Sequence, residues 1–202
     1  MATHPLIITE GIVLEKRRVG EANTLATVLT RDRGLIRGKA QSTRVMRSKL
    51  RYTLEPLSVA RFSLVRGAYE WKIVNSYPHA LTEGNPLERF AGSPRYGRSA
   101  IGKIVQLLTR LIHGEEALPA LYEDVVSGIM LLLRARTHED VDAIESVLVL
   151  RILYHLGYMP RTPELAPFFE DGALTEDHCA RAALSRSALI RSINESLAAT
   201  GL

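Results

Sequence analysis

The chain reads as an α+β protein in two parts: an all-β front over residues 1–80 and an all-α rear over residues 81–202. Over the front, apolar residues alternate with period 2 in short runs separated by Gly and Pro, the mark of half-buried strands. From residue 101 onward the period becomes 3.6, the mark of helices with one apolar stripe. Between them, residues 77–97 (YPHALTEGNPLERFAGSPRYG) hold Pro78, Pro86, Pro94, Gly84 and Gly92, a natural boundary.

Taken in order, residues 6–18 (LIITEGIVLEKRR) predict a strand bent at Gly11, and Val19-Gly20-Glu21 a turn. Residues 24–30 (TLATVLT) predict a second strand, with Leu25, Thr27 and Leu29 on one side. Arg31-Asp32-Arg33-Gly34 makes a hairpin turn in which Gly34 is free to take positive φ. Leu35 to Ala40 is the third strand, and the polar run Gln41 to Lys49 an exposed loop. Residues 50–65 carry strand material interrupted at Pro56. Tyr69 to Ser76 alternates again, with Tyr69, Trp71 and Ile73 on one side. Five short strands within about 80 residues suggest a small barrel.

In the rear half, a short helix is expected at Pro86 to Phe90. Ile101, Ile104, Val105, Leu108, Leu111 and Ile112 then form one helical stripe, closed by Gly114. Leu118 to Leu132 carry the next. Thr137 with Asp140 three residues on has the form of a capping box opening a third helix, which Gly157 and Pro160 close. Residues 161–174 read as loop and residues 184–199 as a last helix.

Charge is unevenly placed. The chain carries a net +4, with a pI near 9.4. Residues 1–80 hold 14 basic and 6 acidic side chains, residues 81–202 hold 12 and 16. Such asymmetry suggests that the front half meets a polyanion, either nucleic acid or an anionic membrane surface. The densest stretch, Arg31 to Arg66, has ten Lys or Arg against Asp32 and Glu55. The candidate contacts are Lys16, Arg17, Arg18, Arg31, Arg33, Arg37, Lys39, Arg44, Arg47, Lys49 and Arg51, with Arg61 and Arg66 as further members. Their cationic groups would neutralise phosphates and release counterions. The plainer account is an ordinary Arg-rich surface.

Other chemistry is thinly supported. No GxxxxGK[ST], GxSxG or HExxH run occurs. His138-Glu139-Asp140 with Asp142 is better explained by acids at a helix's positive end than by a metal site. Glu115-Glu116 reads as a solvated turn, and His178-Cys179 as structural. Tyr69 and Trp71 would stack on unpaired bases or fill the core, and core is expected for at least one. Cys179 is the only cysteine, so no intrachain disulfide or Cys-based zinc cage forms from these residues, which fits a reducing cytoplasm. Met1 to Glu10 lacks the pattern of a signal peptide, and no run approaches the ~18 apolar residues of a membrane span. The expectation is a soluble intracellular protein.

The run at residues 11–57, GIVLEKRRVGEANTLATVLTRDRGLIRGKAQSTRVMRSKLRYTLEPL, resembles the bacterial recombination mediator family RecO. The features that carry the resemblance are Val13-Leu14, Arg17-Arg18, Gly20-Glu21, Leu29-Thr30, Gly34, Lys39-Ala40, Ser48-Lys49, and Leu54 with Pro56. A second match is RILYHLGYMP at Arg151 to Pro160. Many members follow that step with a four-cysteine zinc module, whereas here RTPELAPFFEDGALTEDHCARA supplies Cys179 alone. That leaves the local fold of residues 161–182 open.

The resemblance implies an oligonucleotide-binding (OB-fold) barrel joined to a helical domain, in a bacterial cytoplasmic, nucleoid-associated protein. It implies a task in DNA repair and recombination: binding of single- and double-stranded DNA, annealing of complementary strands, and work with RecR; the expectation drawn from this is a non-enzymatic mediator with no cofactor. It further implies loading of RecA onto DNA coated by single-strand-binding protein, whose acidic C-terminal tail would meet the helical domain. Arg110, Arg134, Arg136 and Arg151 are candidate anion partners there. An RNA-binding barrel module of translation or RNA metabolism is the alternative. A nuclease using carboxylate-bound Mg²⁺ is disfavoured, since acids are sparse where the basic residues cluster.

Overall fold

A computed structural model describes residues 5–41, 50–68, 70–79, 86–169 and 172–199. The chain forms two compact units: Met1–Ala91 with His113–Leu118, and Gly92–Ile112 with Pro119–Leu202.

In the first unit, β1 (Leu6–Val19), β2 (Asn23–Thr30), β3 (Gly34–Ala40), β4 (Val59–Arg66) and β5 (Trp71–Pro78) close a barrel in the order β1-β2-β3-β5-β4. All pairs are antiparallel except β3 with β5. The single-turn helix α1 (Leu50–Thr53) lies between β3 and β4 in sequence. This is an OB-like barrel.

β1 closes the barrel because it serves two partners. Its first half pairs with β4 and its second half with β2, and Gly11 stands in both registers, opposite Ala60 and Thr30. A Cβ at Gly11 would lie 2.7 Å from Val28 Cγ1. The bend expected there is thus a close approach that a side chain would prevent. Inside the barrel, Val13, Val28, Ile36, Phe62, Leu64, Trp71 and Ile73 interlock with almost no solvent exposure. Burying large apolar side chains at ~1.5–3 kcal/mol each is what drives closure.

Residues 50–58 do not form the expected strand. Pro56 removes one ladder donor, and the chain turns instead: Ser58 N donates to Glu55 O at 3.1 Å, and Leu57 takes φ 68°. Pro at the second position and positive φ at the third is the pattern of a type II turn. Leu57 holds that conformation although it has a side chain. It is buried, and its N–H donates to Val13 O at 2.7 Å. The loop expected over Gln41 to Lys49 lies, beyond Gln41, outside the described residues.

The second unit is helical. α2 (Pro86–Gly92) straddles the boundary between the units, and α3 (Arg95–Leu111), α4 (Pro119–Arg134) and α5 (His138–His155) follow. The stripes anticipated from the 3.6 period are buried, including Ile101, Ile104, Leu108, Val125, Ile129, Val147 and Leu148. The capping box at α5 is formed: Asp140 N donates to Thr137 Oγ1 at 3.0 Å, and Thr137 N to Asp140 Oδ2 at 3.2 Å. After a short 3₁₀ turn, Ala166–Phe168, come α6 (Glu176–Leu184) and α7 (Arg186–Ala199). α6 has no counterpart among the expected elements. Among the described residues, no helix is long and apolar enough to cross a membrane.

Candidate nucleic-acid interface

The strand register sorts the basic residues. Residues directly opposite in a sheet project from the same face, and neighbours along a strand project from opposite faces. Arg17 pairs with Leu25, Leu25 with Lys39, and Lys39 with Lys72. One transverse row therefore carries Arg17, Lys39 and Lys72 on the barrel's outside. The next row out is Glu15, Thr27 and Arg37. Between the rows lies a concavity of about 240 Å³, lined by Glu15, Lys16, Arg17, Leu25, Thr27 and Arg37. The inner face explains the alternation, because Ala26, Gly38 and Trp71, each one step along, are buried in the barrel.

Among the described residues, Arg17, Arg37 and Lys72 hold no carboxylate, while Lys39 is 3.8 Å from Glu70 and Lys16 is ion-paired with Glu55. Arg18 is exposed one residue beyond Arg17, opposite Thr24. Arg31 and Arg33 are exposed on the β2–β3 turn, six residues along β2 from the Leu25 row. That is roughly 20 Å of strand. They do not belong to the same cluster. Arg44, Arg47 and Lys49 lie outside the described residues, as does the side chain of Arg51. Lys72 lies outside every basic run of the sequence, and only the alternation around Trp71 marks it as outward-facing.

Glu115 is exposed, as expected of a solvated turn, but its carboxylate is also engaged. Its carboxylate accepts from Trp71 Nε1 at 3.0 Å and takes an ion pair from Arg66, whose guanidinium lies 4.8 Å over the indole. Partial burial raises the Glu115 pKa. The hydrogen bonds from Arg66 and Trp71, and the charges of Arg66 and Arg33, outweigh it and hold the group below its ordinary 4.5. Residues 113–118 thus strap the barrel. At Gly34, where φ is 56°, a Cβ would lie 2.4 Å from Glu116 O, so only glycine admits the strap. Arg66 is consequently engaged by a carboxylate, and Arg61 is 3.4 Å from Glu10. Trp71 is core, 4% exposed; Tyr69 is outside the described residues.

In the helical unit, Arg151 is no surface anion partner. It is 4% exposed, and its Nε donates to Asp124 Oδ2 at 2.7 Å. Asp124 also contacts His155 Nε2 at 2.7 Å and accepts from Leu174 N at 2.9 Å, while Arg151 Nη2 donates to Gly172 O at 2.5 Å. This buried pair holds the segment between α5 and α6, the one left open for want of cysteines. The thiol of Cys179 is buried and pushed up to about 11 by that burial and by Glu176 and Asp140. A lone protonated thiol does not fit a four-thiolate zinc centre. Arg110, Arg134 and Arg136 are exposed.

Residues 1–76 match the family described as Recombination protein O N terminal. The DNA repair protein RecO of Heliobacterium modesticaldum is 30% identical over 156 residues, covering 75% of this chain and 51% of that protein. The chain is similar to RecO proteins, most plainly in its N-terminal 76 residues. The RecO of Bifidobacterium adolescentis is 28% identical over 157 residues, 78% of this chain and 61% of its own length. That of Synechococcus sp. (strain JA-2-3B'a(2-13)) is 29% identical over 174 residues, 81% and 58%. The chain thus spans between half and two-thirds of the length of these curated RecO relatives.

Proposed function

We propose that this chain is a member of the RecO family, a non-enzymatic, DNA-binding mediator of repair and recombination. The observation that carries the reading is the outward row Arg17, Lys39 and Lys72, flanked by Arg37, on three strands of an OB-like barrel. Such a row meets phosphates without regard to sequence, so it takes single- and double-stranded DNA alike. Lowering the repulsion between two strands and raising their local concentration is enough for annealing, and that step needs no nucleotide cofactor. The curated relatives are named as DNA repair proteins. This supports the further roles expected of the family: action with RecR, contact with the tail of single-strand-binding protein, and help in loading RecA.

The test is binding of labelled single-stranded DNA across a salt series. Each phosphate contact adds roughly −0.7 to the log–log slope. Changing Arg17, Lys39 and Lys72 together to Ala should make the slope shallower by about 2. A wild-type affinity indifferent to salt overturns the reading.

A further inference from the structure

We propose that the outer face of β1, β4 and β5 is a seat for the unpaired bases of single-stranded DNA, with Tyr77 as its stacking platform. The inference rests on the DNA-binding reading above and adds to it a second surface, apolar instead of cationic, that distinguishes single strands from duplex.

Leu6, Ile8, Val74 and Tyr77 are 56%, 60%, 49% and 55% exposed. The register gathers them. Leu6 stands opposite Val65, which stands opposite Lys72; Ile8 opposite Ser63, which stands opposite Asn75; Glu10 opposite Arg61, which stands opposite Tyr77. Val74 occupies the irregular step beside Ser63 and Leu64. The four side chains therefore share one face of three adjacent strands. The Lys72 row is the same row that carries Lys39 and Arg17, so the apolar face continues directly from the cationic one.

Its rim also carries cations: Lys72 is exposed at one end, and at the other the Arg61 side chain is 61% exposed although its guanidinium lies 3.4 Å from Glu10, a surface pair that a phosphate can compete for. An apolar floor between cations suits a polyanion that also offers flat apolar groups. Single-stranded DNA has that chemistry, with phosphates for the cations and base faces for the floor. Duplex DNA keeps its base faces stacked inside and can use only the cations. The Tyr77 ring is held ready, because Asn75 Nδ2 donates to its Oη at 2.9 Å while Asn75 Oδ1 accepts from Ser76 N at 2.9 Å. A ring already fixed loses little freedom when a base settles on it.

The experiment uses the full chain, with a single-stranded oligonucleotide and the duplex of the same sequence, each titrated across a salt series. Three forms are compared: wild type, Tyr77→Ala with Ile8→Ser, and Arg17→Ala with Lys39→Ala and Lys72→Ala. The apolar variant should bind the single strand about tenfold more weakly at every salt concentration, with an unchanged slope and unchanged duplex affinity. Tyr77→Phe, which keeps the ring, should retain single-strand affinity. Equal losses on both ligands, or none on either, overturn the inference; the latter would assign the face to a protein partner. Should the double variant fail to fold, Val74→Asn reads the same floor, and an unchanged single-strand affinity there is equally fatal. The underlying DNA-binding reading fails separately, if the cationic variant changes neither affinity nor slope.

Discussion

Glu115 shows how much one side chain can decide. It was unremarkable in sequence, an acid after a helix stop, because its partners Arg66 and Trp71 lie 49 and 44 residues away. Its depressed pKa means that the folded state favours the carboxylate. The stability it lends is therefore full above the ordinary 4.5 and is lost as pH falls through the lower folded value. Glu115→Gln should accordingly unfold more readily than wild type near neutral pH, with the gap closing under acid conditions; urea melts across the acid range measure it. A gap that persists at the acid end would mean that Glu115 acts through shape and not charge. Lys72 teaches the converse lesson. Nothing in a count of basic runs marks it, yet it becomes part of the cationic row once Trp71 is known to point inward.

At the level of the elements, β3 was readable because it has one wetter and one dry face, and alternation records that difference; β1 and β2, buried on both faces over much of their length, were readable from their apolar and β-branched residues. α1 was not, since its four residues make one turn and leave no period to detect. α6 escaped for a related reason. It is nine residues long, and His178 takes the place at its N-terminus where a Glu or Gln would have signalled a cap, receiving Thr175 N at 3.2 Å. The segment leading to α6 depends on Asp124, an acid buried among the apolar residues of α4. Removing one member of a buried ion pair strands the other. Asp124→Ala should therefore cost about 3–5 kcal/mol in urea unfolding. The loss should appear together with proteolytic cleavage between α5 and α6, because Leu174 N and Gly172 O are anchored by the same pair. A variant within about 0.5 kcal/mol of wild type would show that the segment is held by its apolar contacts alone.

For the molecule as a whole, charge and fold are separable. The excess of cations sits on an exterior whose interior neighbours are Ala26, Gly38 and Trp71, so discharging the outside leaves the core intact. Exposed ion pairs such as Lys103–Glu145 are worth about 0–1 kcal/mol each, and the Asp124–Arg151 pair is shielded by burial. Raising salt about tenfold should shift the unfolding midpoint little. Across the same range, binding through Arg17, Arg37, Lys39 and Lys72 should fall by close to three decades, from a slope of about −3. A midpoint that collapsed in parallel would mean that the cations hold the fold and not a ligand. The passage from strands to helices was legible from the change of period, while the first unit itself runs on to Ala91. That residues 113–118 belong with the barrel was not legible, because local pattern carries no record of a strap set between two helices.

Trp71 is the chain's sole tryptophan, and it lies beneath the Arg66 guanidinium with its N–H on the Glu115 carboxylate. The indole emission of the intact protein is thus a single-site optical gauge, needing no label. It would register any polyanion that lures Arg66 off its perch, at the moment the strap lets go.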